Sequence, residues 1–191
     1  MKKMRWMLAL CAALIVDSAA AQRILPSFRP TGASMVDSHL GLDFAWTDLN
    51  GEYGPVAGLG LGTDIGGVVS GVYFDMLADD VEGDDTTIEA RDFWQSGIYG
   101  EGPLSKNLDA KVTPFFGYKF GVAHLTAVSR EDGKSDSGYS AVLQPELGLR
   151  LLGSHLSLGV GYRLLVGPEV AGLSAWDWSG VSFNGHLRIS F

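Results

Sequence analysis

The feature that most constrains this chain is an alternation of apolar side chains with small or polar ones, repeated along eight segments. Successive side chains of a β-strand point to opposite faces, so each segment predicts a strand with one continuous apolar face. Strands of about 9–11 residues are long enough to cross a bilayer. The chain is therefore predicted to be all-β, an eight-stranded antiparallel transmembrane up-and-down β-barrel. The predicted strands are residues 38–46, 55–62, 67–76, 93–102, 111–124, 139–151, 156–164 and 181–191.

The side on which the charges fall separates a membrane barrel from a soluble one. In the fifth segment Phe116, Tyr118 and Phe120 share one face, whereas Lys119 and Gly117 share the other. A soluble barrel directs its apolar face inward, but here long apolar side chains gather on one face, and glycines and charges on the other. The pattern predicts an apolar face toward lipid and a polar face toward the lumen.

The connections between the segments are predicted to alternate in length, as in outer-membrane barrels. Short turns are expected at residues 63–66 and 152–155, with a slightly longer one at 103–110. Longer outer loops are expected at 47–54, 77–92, 125–138 and 165–180. Pro114 and Pro145 fall within predicted strands, and each lacks a backbone donor, so bulges or local irregularity are expected there.

The first 21 residues have the order of a secretory signal peptide. Lys2, Lys3 and Arg5 precede an apolar run, and the small residues 18–21 follow it. We expect cleavage after Ala21, a periplasmic lead-in over 22–36 and an outer-membrane β-barrel over 37–191. A lipoprotein site at Cys11, the only cysteine, is disfavoured because the bulky Leu10 precedes it. The mature chain would then contain no cysteine.

The net charge excludes one class of partner. The whole chain carries −8, and the leader contributes three positive charges and one negative, so the mature chain would carry −10. Such acidity argues against a nucleic-acid partner.

Nearly all charges within the segments fall on the predicted lumen face. Because buried charges must be paired, we expect them to form a network that fills the barrel. A narrow gated conduit is the alternative. His39 and His186 also face the lumen, where hydrogen bonding within the core is expected. The acidic members are Asp43, Asp75, Glu101 and Glu146, and the basic members are Lys111, Lys119, Arg150, Arg163 and Arg188.

The terminal run from Phe183 to Phe191 resembles the last strand of small outer-membrane barrels of the OmpA/OmpX type. In that family the strand ends on an aromatic residue with apolar residues at alternate positions, which Leu187, Ile189 and Phe191 match. The resemblance implies that these residues are an assembly signal read by the barrel-assembly machinery. It transfers no activity. Trp46, Trp94, Trp176, Trp178 and Phe191 are expected in aromatic girdles at the membrane interfaces.

Two residue pairs were weighed as catalytic groups. His155 and Ser157 have a His-x-Ser spacing like that of barrel lipid A deacylases, but they lie at the periplasmic end and lack the neighbouring residues of that family. His124 and Asp92 could form a general-base pair, although interfacial histidines are often not catalytic. No catalytic residue is assigned.

The loop 77–92 holds the densest cluster of acidic residues. Carboxylates around a glycine could bind Ca²⁺ or Mg²⁺ weakly, although a solvated acidic loop is the simpler interpretation. No other cofactor is expected. The cluster consists of Asp79, Asp80, Glu82, Asp84 and Asp85.

The sequence thus favours a non-enzymatic outer-membrane barrel that has a structural role or makes surface contacts through its loops. A narrow porin-like channel for small solutes is the first alternative, and a lipid A-modifying or proteolytic enzyme is the second. The expected partners are outer-membrane lipid and lipopolysaccharide, and a monomer is expected.

Overall fold

The computed structural model describes residues 36–65, 67–79, 81, 87–105, 111–151 and 155–191. They form a closed eight-stranded barrel in which each strand pairs with its sequence neighbour and the last pairs with the first, so the predicted fold is confirmed. The predicted signal peptide lies outside the described residues, as does the lead-in up to residue 35. The strands are β1 (Val36–Leu49), β2 (Glu52–Ile65), β3 (Val68–Leu77), β4 (Ile88–Pro103), β5 (Val112–Ser129), β6 (Ser135–Leu151), β7 (Leu156–Val166) and β8 (Gly180–Ser190).

The barrel is closed by antiparallel pairing of β1 with β8, from His39 opposite Ser190 to Thr47 opposite Ser182. β8 ends at Ser190, but Phe191 still donates its backbone N–H to the Ser38 carbonyl, at 2.9 Å. Every strand edge within the closed region therefore has a partner, as a lipid environment requires. Among the described residues no helix is long and apolar enough to cross a membrane.

The predicted alternation matches the observed burial. Phe120 is 52% exposed on the outer face of β5, whereas the adjacent Lys119 is 7% exposed and points into the lumen. Leu42 is the exception on the outer face, since only 4% of it is exposed. Its register partners are Leu59 and Leu187, so it lies between two other leucines on neighbouring strands.

The strands continue into all four of the predicted long loops, and two of these loops are reduced to short connections. β1 and β2 are joined by only Asn50 and Gly51, whose φ angles of 61° and 85° define the two-residue turn that matches strand twist. β5 and β6 likewise continue until only residues 130–134 connect them. The connections at 78–87 and 167–179 are long, as predicted.

The turn predicted at residues 63–66 is displaced toward the C-terminal side. Residues 63–65 belong to β2, and Ile65 pairs with Val68, so this turn lies at residues 66 and 67. The turn between β6 and β7 covers residues 152–155, as expected, with 152–154 outside the described residues. We call the end of the barrel that carries these turns, the start of β1 and the end of β8 the terminal end. The opposite end is called the loop end.

Neither proline produces a bulge, but the local irregularity expected at Pro145 is observed. The pairing of β5 with β6 keeps one register through both Pro114 and Pro145. Pro114 lies just past the last pair of β4 with β5, Pro103 opposite Phe115, so no β4 ladder bond is lost there. At Pro145 the β6–β7 ladder is interrupted between Leu143 and Glu146 and resumes in the same register. The one register shift between β4 and β5 is elsewhere, between Ala90 and Asp92.

Three consecutive strands rise above the others at the loop end. β4, β5 and β6 have 16, 18 and 17 residues, whereas β3 and β7 have 10 and 11. β5–β6 pairing continues for six residues beyond Ala141, where β6 leaves β7. At about 3.3 Å per residue this three-stranded extension is roughly 20 Å long. In the turn that joins β5 to β6, a side-chain hydrogen bond from Lys134 lowers the pKa of Asp132.

Candidate functional site: the barrel interior

The interior nearest the terminal end is organised around one carboxylate. Glu101 on β4 accepts from the guanidinium groups of both Arg150 on β6 and Arg188 on β8. Arg150 also donates to the Gly67 carbonyl at 2.7 Å, and Arg188 donates to Ser157 Oγ at 3.3 Å. One acid therefore joins three strands across the lumen, and each guanidinium has a second acceptor.

The next layer is centred on His186 of β8. Its Nδ1 lies 2.8 Å from Asp43 Oδ1 on β1, and its Nε2 lies 3.0 Å from Glu146 Oε1 on β6. Asn184 Nδ2 donates to the second oxygen of Glu146 at 2.8 Å, and Ser182 donates to Asn184 Oδ1 at 2.6 Å. The contact of His186 with Asp43 crosses the β1–β8 seam that closes the barrel, and the contacts with Glu146 join β8 to β6.

The third layer is centred on Lys119 of β5. Its ammonium lies 2.8 Å from both Asp43 Oδ2 and Asp75 Oδ2. Gln95 Nε2 donates to Asp75 Oδ2 at 2.9 Å, and the Lys119 ammonium lies 4.9 Å from the centre of the Tyr73 ring. Asp43 links this layer to the His186 layer. We call the residues of these three layers the lumen network.

Glycines make room for the lumen network. A Cβ on Gly58 would lie 2.0 Å from Asp75 Oδ1, and one on Gly159 would lie 2.1 Å from Glu146 Oε1. A cavity of about 20 Å³ lies beside the network, lined in part by Asp43, Glu146 and His186. A volume of this size holds about one water molecule.

Above the lumen network the interior changes from charged to apolar. Inward side chains at the loop ends of the strands, such as Leu49, Phe93, Leu125 and Leu165, form one cluster with Val170 and Trp178 of the β7–β8 loop. We call this cluster the apolar cap. Leu49, Leu125 and Leu165 were predicted to lie in outer loops, but they belong to the ends of strands and point inward. Phe93 and Trp178 are 0% and 1% exposed.

Arg163 lies at the boundary between the two regions and has no carboxylate partner among the described residues. Its guanidinium donates to Thr47 Oγ1 at 2.8 Å and to the carbonyls of Asp48 and Trp178. The guanidinium carbon also lies 4.6 Å from the centre of the Phe93 ring, a cation–π contact. It was predicted within the charge network, but it binds the cap to the barrel instead.

Two further residues do not lie where the sequence analysis placed them. Lys111 precedes β5 and is exposed at the terminal end, so it is not a lumen charge. Trp178 was expected in an interfacial girdle but is buried in the apolar cap, because its loop folds back over the barrel mouth. Trp46 and Trp176 are 52% and 65% exposed, and Phe191 is 58% exposed.

A row of aromatic rings crosses the outer face near the loop end. Trp94 stacks on His124 with centroids 5.7 Å apart, and His124 lies 4.7 Å from the Tyr139 ring. Phe74 stacks on the other side of Trp94 at 6.1 Å. Rings at this height are typical of a membrane interface, where Trp and Tyr are enriched.

The residue pairs weighed for catalysis lie in unsuitable surroundings. Ser157 is fully buried beside Arg188, whereas His155 precedes β7, is exposed, and contacts the Arg188 carbonyl at 3.3 Å. Asp92 pairs in register with Thr126, and His124 is engaged by aromatic rings. Neither pair has a nucleophile next to a base with open space for a substrate.

The expected divalent-cation loop falls largely outside the described residues. Asp79 is described and exposed, whereas Asp80, Glu82, Asp84 and Asp85 are not described. Among the residues that the structure describes, no group of three potential metal ligands is close enough to hold an ion.

The sequence predicts which neutral side chains point into the lumen, but not which charged side chains they contact. Gln95, Asn184 and Tyr99 all lie on the lumen face; Tyr99 contacts His39 Nε2 at 2.5 Å. Alternation alone gives their inward orientation, since they share parity with the predicted charges. Which strands they bridge depends on the stagger of the closed barrel, which one sequence does not contain.

Taken together, an apolar outer face, a paired-charge interior and a closed antiparallel topology define a small eight-stranded barrel of the outer-membrane type. The OmpA/OmpX-type architecture expected from the terminal strand is therefore observed. A scan against protein-family models and a search of curated proteins return no match.

Solved structures with the same fold include neisserial surface protein A (NspA), with a TM-score of 0.56 and 14% identity over 84% of this chain and 99% of that one. The attachment invasion locus protein Ail of Yersinia pestis has 9% identity and a TM-score of 0.42, over 82% and 99%. The structure of Ail in complex with the heparin analogue sucrose octasulfate has 13% identity and a TM-score of 0.39, over 81% of this chain and 97% of that one. At this identity the comparison with NspA shows the fold alone.

Proposed function

We propose that this protein is a non-catalytic outer-membrane barrel that serves the cell surface through its loop end and does not conduct solutes. The observation that carries the proposal is the two-part filling of the interior. A lumen network occupies the membrane-embedded part, and the apolar cap covers it at the loop end. Breaking a buried ion pair leaves a desolvated charge, so the filled interior is costly to open.

The architecture of the loop end supports a role in surface contact. The β4–β6 extension stands roughly 20 Å above the neighbouring strands, and β6 has no strand partner on its β7 side beyond Ala141 among the described residues. Ala171 of the β7–β8 loop donates to Asp136 Oδ2 at 2.8 Å and so braces the extension. A braced, protruding sheet is a rigid platform for contacts outside the membrane. Outer-leaflet lipid would contact the apolar outer face of the barrel below this extension.

Conductance decides between a closed barrel and the channel alternative. The refolded protein is inserted into planar bilayers, with a large-pore porin as the positive control for insertion. We expect insertion without resolvable single-channel steps. Steady, voltage-independent steps in 1 M KCl from the wild-type chain would show that the interior opens, and would replace this proposal with the channel.

Loop exchange tests the surface role. Residues 125–138, which form the upper β5–β6 hairpin, are replaced by a two-residue Asn-Gly turn, and cells carrying the variant are compared with wild type for binding to surfaces and serum components. We expect the variant to assemble but to lose contacts that the wild type makes. If every such contact survives, the extension is not the contact surface.

A further inference from the structure

His186 contacts a carboxylate with each of its two ring nitrogens, which is more than filling the lumen requires. Both of its ring nitrogens face carboxylate oxygens, Nδ1 toward Asp43 and Nε2 toward Glu146, at 2.8 and 3.0 Å. The side chain is buried, with 9% exposed, so water does not mediate these contacts.

Counting donors restricts the protonation state of this ring. A neutral imidazole has one N–H and one bare nitrogen, and an ionised carboxylate only accepts hydrogen bonds. The other oxygen of each carboxylate already accepts: Asp43 Oδ2 from Lys119, and Glu146 Oε2 from Asn184. A neutral ring would therefore set a bare nitrogen against a carboxylate oxygen, whereas an imidazolium satisfies both contacts.

Charge balance within the lumen network leads to the same state. Four acids lie in it: Asp43 on β1, Asp75 on β3, Glu101 on β4 and Glu146 on β6. Among the described residues, three cations contact these acids: Lys119 on β5, Arg150 on β6 and Arg188 on β8. A positive His186 makes the network neutral. Arg163 lies farther toward the loop end and binds Thr47 and backbone carbonyls.

We propose that His186 is an imidazolium in the folded barrel and acts as a proton-dependent clamp on the closure seam. Asp43 and His186 are register partners across β1 and β8, and Glu146 ties the same ring to β6, beyond β7. When the His186 ring loses a proton at alkaline pH, one of its nitrogens becomes bare and repels the carboxylate oxygen that it faces. The seam then loosens while the rest of the barrel keeps its pairing.

The protonation state is measured directly on the refolded full chain in detergent micelles, with ¹⁵N-labelled histidine. Long-range ¹H–¹⁵N spectra at pH 7.5 distinguish an imidazolium from either neutral tautomer. We expect the His186 signals, assigned by their loss in His186→Gln, to show both nitrogens protonated. His155→Gln, at an exposed position before β7, is the control and should leave the His186 signals unchanged. A neutral tautomer at His186 would place the proton on a carboxylate and overturn the proposal.

A second measurement tests the clamp itself. In the unfolded chain histidine is neutral above its ordinary pKa of about 6.5, so the folded state would hold one proton more from pH 7 to 9. Stability therefore falls as pH rises, and the unfolding equilibrium constant should increase about tenfold per pH unit from this group. Urea unfolding should show this slope in the wild type and in His155→Gln, and lose it in His186→Gln. An unchanged slope in His186→Gln would contradict the clamp.

Discussion

At the scale of single residues, the interior is decided by how each buried charge is paired. Glu101 holds two guanidinium groups that come from different strands, β6 and β8. The sequence identifies all three as inward by parity. It does not say that they share one site, because Arg150 and Arg188 are 38 positions apart and meet only when the barrel closes.

Replacement of Glu101 by Gln should therefore destabilise the barrel strongly. The substitution keeps the shape but leaves Arg150 and Arg188 without a counter-charge, and breaking such a buried pair costs about 3–5 kcal/mol. Urea unfolding in micelles measures the free energy. Glu131→Gln, at an exposed position of the β5–β6 turn, is the control and should stay within about 0.5 kcal/mol. Equal stability of the two variants would contradict the pairing.

Gly51 offers a second test at this scale. Its φ of 85° disfavours any side chain, although an added Cβ would meet nothing within 4 Å. Gly51→Ala should cost about 1–2 kcal/mol through backbone strain alone. Gly102→Ala is the matched control, because its Cβ also meets nothing and its φ is not positive. If both substitutions have the same small effect in urea unfolding, the turn is not strained.

At the scale of elements, the β7–β8 loop is the segment whose role sequence alone mispredicted. It was expected to be a surface loop with interfacial tryptophans, but it folds back so that Val170 and Trp178 complete the apolar cap. Trp176 and Trp178 are two residues apart and chemically identical, yet they are 65% and 1% exposed. The difference comes from the inward space left by strands that extend above the lumen network.

These two tryptophans form a matched pair for mutation. Trp178→Ala should cost about 3–5 kcal/mol, because it removes a fully buried aromatic side chain. Trp176→Ala should change stability by less than about 0.5 kcal/mol. Urea unfolding gives the free energies, and hydrogen exchange should show faster exchange at the loop end only in Trp178→Ala. Similar losses in both variants would mean that the cap does not depend on Trp178.

At the scale of the whole molecule, the topology makes the two ends of the barrel different. The terminal end carries the start of β1, the end of β8 and the short turns, and the loop end carries the cap and the extension. We expect the loop end to face the outside of the cell, because short periplasmic turns and longer outer connections are typical of outer-membrane barrels.

Cysteine labelling tests this orientation, because Cys11 is the only cysteine and lies within the predicted signal peptide. Asp132→Cys places a thiol in the β5–β6 turn at the loop end, and Lys111→Cys places one at the terminal end; both positions are exposed. On intact cells a membrane-impermeant maleimide should label only Asp132→Cys, and both after lysis. Labelling of Lys111→Cys alone on intact cells would reverse the orientation.

The sequence by itself determined the strand number, the side-chain parity and the identity of most lumen charges. Those properties are local, because a period of two fixes which side each residue faces. The tertiary structure decided the rest. Strand register brings Asp43 and Glu146 to one histidine and leaves Arg163 without an acid partner among the described residues, and the fold of the β7–β8 loop buries Trp178. Contacts such as these join residues more than a hundred positions apart. Only the stagger of the closed barrel sets their distances, so only the tertiary structure decided them.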